Sequence, residues 1–370
     1  MKSNPFQRYL LAGFVFKSAL IGGGYATGRE LVEFFLSKGP VTGFLGMIVA
    51  AAIFSLILAV TFEVARRFSL YDYRALMQRL LGPAWIAYEA AFLALLILVL
   101  SVLGAAAGEI ASKQFGAPPI VGAGVLTVLV ATVVFFGTKA VERFFTGWTV
   151  VLYGAFIVFF VWSAKTLGHD IAVRWQATTP TSGALTSGLI YAGYSLAIVP
   201  TVVYCARHFT RPRDAIVSGL IAGPVAMIPA ALFFLVMVAR YPEVNREPVP
   251  ILFMIAQLGS PVFRIVFQVV IFGTLVEAGS ALIHGFNERI ADMMTARGAI
   301  MPKWARAAIA LGLLVCSIYL ATTIGIVDLV AKGYGYSTWV FLGLVAVPML
   351  TRGLWLITRR RTAVLEEADA

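Results

Sequence analysis

The chain has 370 residues, 60% hydrophobic and only 13% charged, with a mean hydropathy of +0.89. That composition excludes a soluble globular fold, because apolar runs long enough to cross a hydrocarbon core of about 30 Å follow one another along the chain. The net charge of +11 would suggest nucleic-acid binding in a soluble protein, but here Lys and Arg flank the apolar runs, as expected for cytoplasmic loops lying against anionic headgroups.

Unsatisfied backbone groups cost several kcal/mol in lipid, so spanning segments are helices or closed barrels. Runs of about 20 apolar residues without strict alternation select helices. Apolar runs near 9–36, 42–65, 84–111, 118–137, 145–164, 183–206, 214–239, 261–287, 305–324 and 336–358 predict an all-α polytopic membrane protein of ten spans. The first run is too long and too glycine-interrupted for the h-region of a cleavable signal. Cations gather before it (Lys2, Arg8), after the second (Arg66, Arg67, Arg74, Arg79) and after the fourth (Lys139, Arg143). They gather again after the sixth (Arg207, Arg211, Arg213), after the eighth (Arg289, Arg297, Lys303, Arg306) and in the tail (Arg352, Arg359, Arg360, Arg361). By the positive-inside rule both termini are cytoplasmic in a cell (inner) membrane, which requires an even number of spans.

Within the first run, Gly22-Gly23-Gly24-Tyr25-Ala26-Thr27-Gly28 would cost a continuous helix roughly 1 kcal/mol per glycine relative to alanine. The helix is predicted to open there and to restart at a capping box, Thr27-Gly28-Arg29-Glu30. A continuous helix whose glycines allow close packing is the alternative. Between the second and third runs, Tyr73, Leu76, Met77, Leu80 and Leu81 recur at helical spacing opposite Arg74, Gln78 and Arg79, which predicts a short interfacial helix. The sixth run carries Tyr191-Ala192-Gly193-Tyr194-Ser195, then Pro200-Thr201, a second predicted interruption. Beyond the seventh, Tyr241 to Pro250 is polar and proline-rich, and the apolar stretch Ile251 to Leu258 is too short to span; together they predict an outer re-entrant or interfacial helix that acts as a lid. Interrupted helices five spans apart point to an inverted repeat, residues 1–166 and 181–358, with a site at the membrane midplane and a cytoplasmic tail at 359–370.

The run Ile21-Gly22-Gly23-Gly24-Tyr25-Ala26-Thr27-Gly28-Arg29-Glu30 resembles the Gly-Ala-Gly-Phe-Ala-(Ser/Thr)-Gly-Gln-Glu signature of the YkvI-like bacterial membrane proteins. Gly285-Phe286-Asn287-Glu288-Arg289-Ile290 resembles the end of their eighth span. The resemblance implies the LeuT-type fold of the APC superfamily, and with it a transporter. In such proteins the first and eighth helices supply a sodium site, and Lys17 and Glu277 fall close to those regions. By the resemblance, Glu277 stands where related sequences carry a hydroxyl and Lys17 where they carry an apolar residue. An ion pair between Lys17 and Glu277, beside Ser280, is therefore expected in place of a bound cation, either static or as a proton switch.

The remaining polar groups carry less. Glu33, Glu63 and Glu109 fall near span ends and read as solvated or capping charges; His284 has no partners at ligand spacing; Cys205 and Cys316 read as buried inert thiols. No metal or cofactor is expected, no nucleic-acid partner, and no enzyme, since no triad, metal set or carboxylate pair stands out. The reading is a secondary active transporter moving an amino acid or similar zwitterion by alternating access, spans one, two, six and seven rocking against the rest. Coupling is expected to a proton or to no sodium; a sodium symporter, or a non-transporting sensor or channel of the same fold, is the alternative. Substrate is expected on Gly22, Gly24, Tyr25, Ala26 and Thr27 of the first span and on Tyr191, Tyr194, Ser195 and Thr201 of the sixth.

Overall fold

The computed structural model describes residues 4–20, 27–135, 138–295, 298–299 and 301–359. The described residues are overwhelmingly helical. Eight helices among them are long and apolar enough to cross a membrane, and two shorter apolar helices, Leu11–Leu20 and Pro119–Phe135, fall where the first and fourth spans are predicted. Helices are numbered below as spans in that predicted order.

The first span enters through Pro5–Tyr9 and Leu11–Leu20 and resumes at Arg29–Phe34. The glycine break between them lies outside the described residues. Gly28, at φ +79°, is the N-cap of the second piece and no side chain caps it, so the predicted capping box is not the cap observed. The Thr27 hydroxyl accepts from the Arg29 amide at 3.3 Å, and Glu30 is turned to another task described below.

Two sets of helices pack tightly. In one, the second span (Pro40–Phe68) lies against the sixth (Ala184–Ser195, continuing to His208) and the seventh (Pro212–Val238), and the seventh also packs on Leu11–Leu20. Small residues make the approach possible: a Cβ at Gly188 would stand 2.5 Å from the Gly46 carbonyl oxygen, and one at Gly219 would stand 2.3 Å from the Ala59 amide nitrogen. In the other set the third span (Trp85–Phe115) packs on the fourth (Pro119–Phe135) and on the ninth (Lys303–Ile324), and the eighth (Pro261–Thr295) joins through the fourth. A Cβ at Gly122 would lie 2.1 Å from the Ala107 carbonyl oxygen. Without a hydrophobic drive between helices in lipid, such backbone contact is where association energy resides. The fifth span, Thr138–Gln176, runs well past its predicted ends and touches both the seventh and the eighth.

The sixth span does not open at its predicted interruption. Its α-helical turn ends at Ser195 and winding tightens to a 3-10 helix over Leu196–His208, a long run for that geometry. Pro200 has no N–H to give to the carbonyl three residues back, that of Ala197. Tyr88, from the start of the third span and fully buried, donates its hydroxyl to that carbonyl at 2.8 Å. Tyr88→Phe is expected to leave the carbonyl unpaired at a cost of about 1–3 kcal/mol, read as a lower melting temperature of the purified protein; an unchanged melting curve would contradict this role.

The interfacial helix predicted between the second and third spans is present at Tyr73–Leu81, capped by Asp72, which accepts from the Ala75 amide at 3.0 Å, and it buries Leu76, Met77 and Leu80. The short apolar stretch after the seventh span forms the helix Pro250–Ala256, with Ile251, Met254 and Ile255 buried. The tenth span starts ten residues earlier than predicted, at Ile326, and three of its segments, Leu329–Tyr334, Leu342–Ala346 and Met349–Gly353, are wound as π-helix. Such bulges re-aim side chains and recur at functional sites.

Candidate functional site

A cavity of about 240 Å³ opens between the two packed sets of helices. The first span contributes Ser18, Ala19, Leu20 and Glu30; the third Phe92, Leu95, Leu96 and Val99. Tyr194, Ser195, Ile198 and Thr201 come from the sixth, Ala278, Ala281 and Leu282 from one face of the eighth, and Tyr334 from the π-wound start of the tenth. Spans of both sets therefore form its walls, and any sliding of one set on the other changes its shape.

The wall is mostly apolar, with a few hydroxyls and one carboxylate. Glu30 is the charged side chain among the described lining residues; it is 5% exposed, and its Oε2 accepts from the Tyr194 hydroxyl at 2.5 Å. Tyr194 stacks on Tyr334, ring centroids 4.5 Å apart and planes within 15°. The sixth span is the source of two further hydroxyls, but each donates to its own helix: Ser195 to the Tyr191 carbonyl at 2.9 Å and Thr201 to the Ile198 carbonyl at 2.7 Å. A ligand can still use them as acceptors.

The residues predicted for the site scatter. Tyr194, Ser195 and Thr201 line the cavity. Tyr191 does not: it is fully buried among Phe34, Phe35 and Phe54, with centroid distances of 6.1, 4.9 and 6.2 Å. One helical turn back from Tyr194, it meets the first and second spans instead of the gap between the sets. Thr27 is buried next to Arg29 and is absent from the wall; Gly22, Gly24, Tyr25 and Ala26 lie outside the described residues.

The contacts of Lys17 differ from those expected. Lys17 is 4% exposed and its Nζ donates to the Tyr153 hydroxyl of the fifth span, 4.6 Å from that ring's centroid and 5.6 Å from that of Phe14. Around its Nζ are thus the Tyr153 hydroxyl and the Tyr153 and Phe14 rings. Ser280 is fully buried, with no hydrogen-bond partner for its hydroxyl among the described residues, and like Glu277 lies off the cavity face, which Ala278, Ala281 and Leu282 form at helical spacing.

Sequence reasoning assigned Glu30 to a helix cap and passed over Tyr334. The signal for Glu30 was present: a carboxylate one turn beyond a glycine break, inside an apolar run, belongs with the intramembrane charges that merit a functional hypothesis. Tyr334 gave none, since its orientation follows from π winding.

Above the cavity, the segment 241–258 is tied to both sets of helices. The buried Arg29 guanidinium donates to the carbonyls of Asn245 at 3.0 Å and Glu247 at 3.3 Å and pairs with Glu33. Lys113, from the end of the third span, pairs with the Glu247 carboxylate at 2.7 Å.

No protein-family model matches the chain. It is 24% identical over 343 residues to the "Uncharacterized membrane protein YkvI" of Bacillus subtilis (strain 168), covering 89% of this chain and 93% of that one. Among solved structures, MhsT in complex with L-phenylalanine superposes with a TM-score of 0.58 at 15% identity, over 94% of this chain and 87% of that chain. An Eremococcus coleocola manganese transporter, bound to an aromatic bis-isothiourea substituted compound, gives 0.58 at 14% identity over 95% and 80%. The chain is a multi-pass membrane protein, homologous to YkvI over most of its length and built on the LeuT-type fold.

Proposed function

We propose that the protein is a secondary active transporter of a small organic solute bearing an amine, such as an amino acid, working by alternating access in the cell membrane with both termini cytoplasmic. One observation carries this reading: the cavity is walled by both packed sets of helices, and each set draws spans from both halves of the chain, as a pair of repeats at 1–166 and 181–358 would supply them, so rocking of spans one, two, six and seven would open it to either side in turn. The volume, below the roughly 300–1,000 Å³ of drug-sized sites, suits a metabolite.

Sodium independence belongs to the same proposal. The Lys17 side chain, buried and held by Tyr153, lies in the first span near the region where the LeuT-type fold holds sodium, and an amine there competes with a bound cation for the same space and ligands. The test is uptake of labelled amines and amino acids into proteoliposomes under a sodium gradient, a pH gradient, or neither. Accumulation with no sodium present is the expected result. Flux that requires sodium would refute the second part, and absence of flux for every solute under every gradient would refute the first.

A further inference from the structure

We propose that Glu30 holds the ammonium of a small, apolar-bodied organic amine and that the cavity exchanges this cation for the proton the same carboxyl carries when the amine is away. The inference rests on the transporter reading above and names its substrate class and coupling.

Charge arithmetic is the first step. An ionised carboxylate in an apolar cavity costs several kcal/mol unless something neutralises it. Only two kinds of neutraliser fit there, a proton or a cation. The groups facing Glu30 from neighbouring elements supply neither: from the sixth span come Tyr191 and Tyr194, from the tenth Tyr334, all uncharged phenols. On its own helix, Arg29 is committed to Glu33 and to the carbonyls of Asn245 and Glu247. Lys332 of the tenth span is exposed and pairs with Asp328 at 3.1 Å. On the eighth span Glu277 adjoins the wall residue Ala278 without lining the cavity, and the third span's wall is Phe92, Leu95, Leu96 and Val99.

The second step is ligand class. Around the carboxylate the wall is mostly alkyl and aromatic, which suits the apolar body of an organic cation better than a bare metal ion. The stacked Tyr194 and Tyr334 rings beside the carboxylate, and Phe92 across the cavity, favour an ammonium by their quadrupoles and an apolar body by contact. No cationic side chain among the described lining residues answers a substrate carboxylate.

The third step is coupling. One carboxylate cannot hold a proton and an ammonium together, so the two bind in competition. On one side R–NH3⁺ enters as the Glu30 O–H bond breaks and its proton leaves to water; on the other side the amine leaves and water returns a proton. One cation crosses each way, and only that O–H bond is broken and remade. Symport of proton and amine would need a second acid in the cavity.

The test uses the purified full-length chain with phenyltrimethylammonium, a permanent cation that carries no proton and does not cross lipid as a neutral base. In weakly buffered detergent, binding should release up to one proton per cation bound, with affinity falling as much as tenfold per pH unit lowered over the range in which the carboxyl holds its proton. In proteoliposomes an acidic lumen should drive accumulation. Glu30→Gln should lose both proton release and gradient drive; Glu30→Asp should keep proton release. The anion 3-phenylpropionate should compete at least tenfold more weakly. Binding without proton release, accumulation driven by an acidic exterior, tighter binding of the anion, or no binding in the wild type overturns the proposal. Proton-linked binding with no flux of any solute instead overturns the transporter reading and leaves the site standing.

Discussion

Arg29→Met is expected to free the segment 241–258 from the first span and to reduce concentrative uptake by roughly tenfold or more. Arg29 is 5% exposed, and its guanidinium satisfies Glu33 and two loop carbonyls at once. Removing it leaves a carboxylate and two carbonyls short of a donor at a half-buried place, a loss of about 1–3 kcal/mol. About 1.4 kcal/mol already shifts an equilibrium tenfold, so the loop should open even though Lys113 still grips Glu247. The measurement is thiol labelling of Ile255→Cys, a position 1% exposed on the loop helix, in a background with Cys205 and Cys316 replaced by serine. Labelling should quicken at least tenfold with Arg29→Met. Equal rates with and without Arg29 would show that the guanidinium does not hold the loop.

The fold was legible because lipid enforces it. With no water to serve the backbone, hydropathy and glycine placement determine where helices lie, and spans two, six, seven and nine fall within a few residues of their predicted limits, while the eighth starts where predicted and runs eight residues further. The ends of the fifth and tenth were missed for one reason. Polar residues such as Lys165, His169 and Asp170 in the fifth, and Asp328 and Lys332 in the tenth, mark the limit of the apolar run but not of the helix, which continues past them.

The site was legible in part. Tyr194, Ser195 and Thr201 stand out by local polarity in an apolar run, and all three line the cavity. Tyr191 was placed with them by the same signal, which tells that a polar group is present but not which neighbour it faces. Lys17 and Glu277 were paired because opposite charges in lipid need partners. Around Lys17 the structure sets a phenol hydroxyl and aromatic rings, which are invisible to a search for opposite charge. Glu30 was hidden by its own neighbourhood, since Thr27-Gly28-Arg29-Glu30 satisfies a capping pattern and only the third dimension brings Tyr194 to it.

Gly223→Val is expected to abolish accumulation of folded protein, whereas Gly285→Ala is expected to be neutral or mildly stabilising. Gly219 and Gly223 stand four apart on the seventh span and let it close on the second. A Cβ at Gly223 would lie 2.2 Å from the Ala51 carbonyl oxygen and 2.3 Å from Ser55 Oγ. The first of these is backbone and cannot rotate away. Ser55 is also engaged, donating to the Leu220 carbonyl at 2.8 Å across the same seam. Overpacking of this kind costs about 1–3 kcal/mol where side chains can shift and more where a main chain must, so the seam should part. At Gly285 an added Cβ meets nothing within 4 Å, and alanine gains about 1 kcal/mol of helix propensity over glycine. Yield of monodisperse protein and melting temperature read both variants side by side. If Gly223→Val retains wild-type stability, the two spans are not locked along this seam. They would then be free to slide on each other, and a moving unit made of spans one, two, six and seven would lose its physical basis.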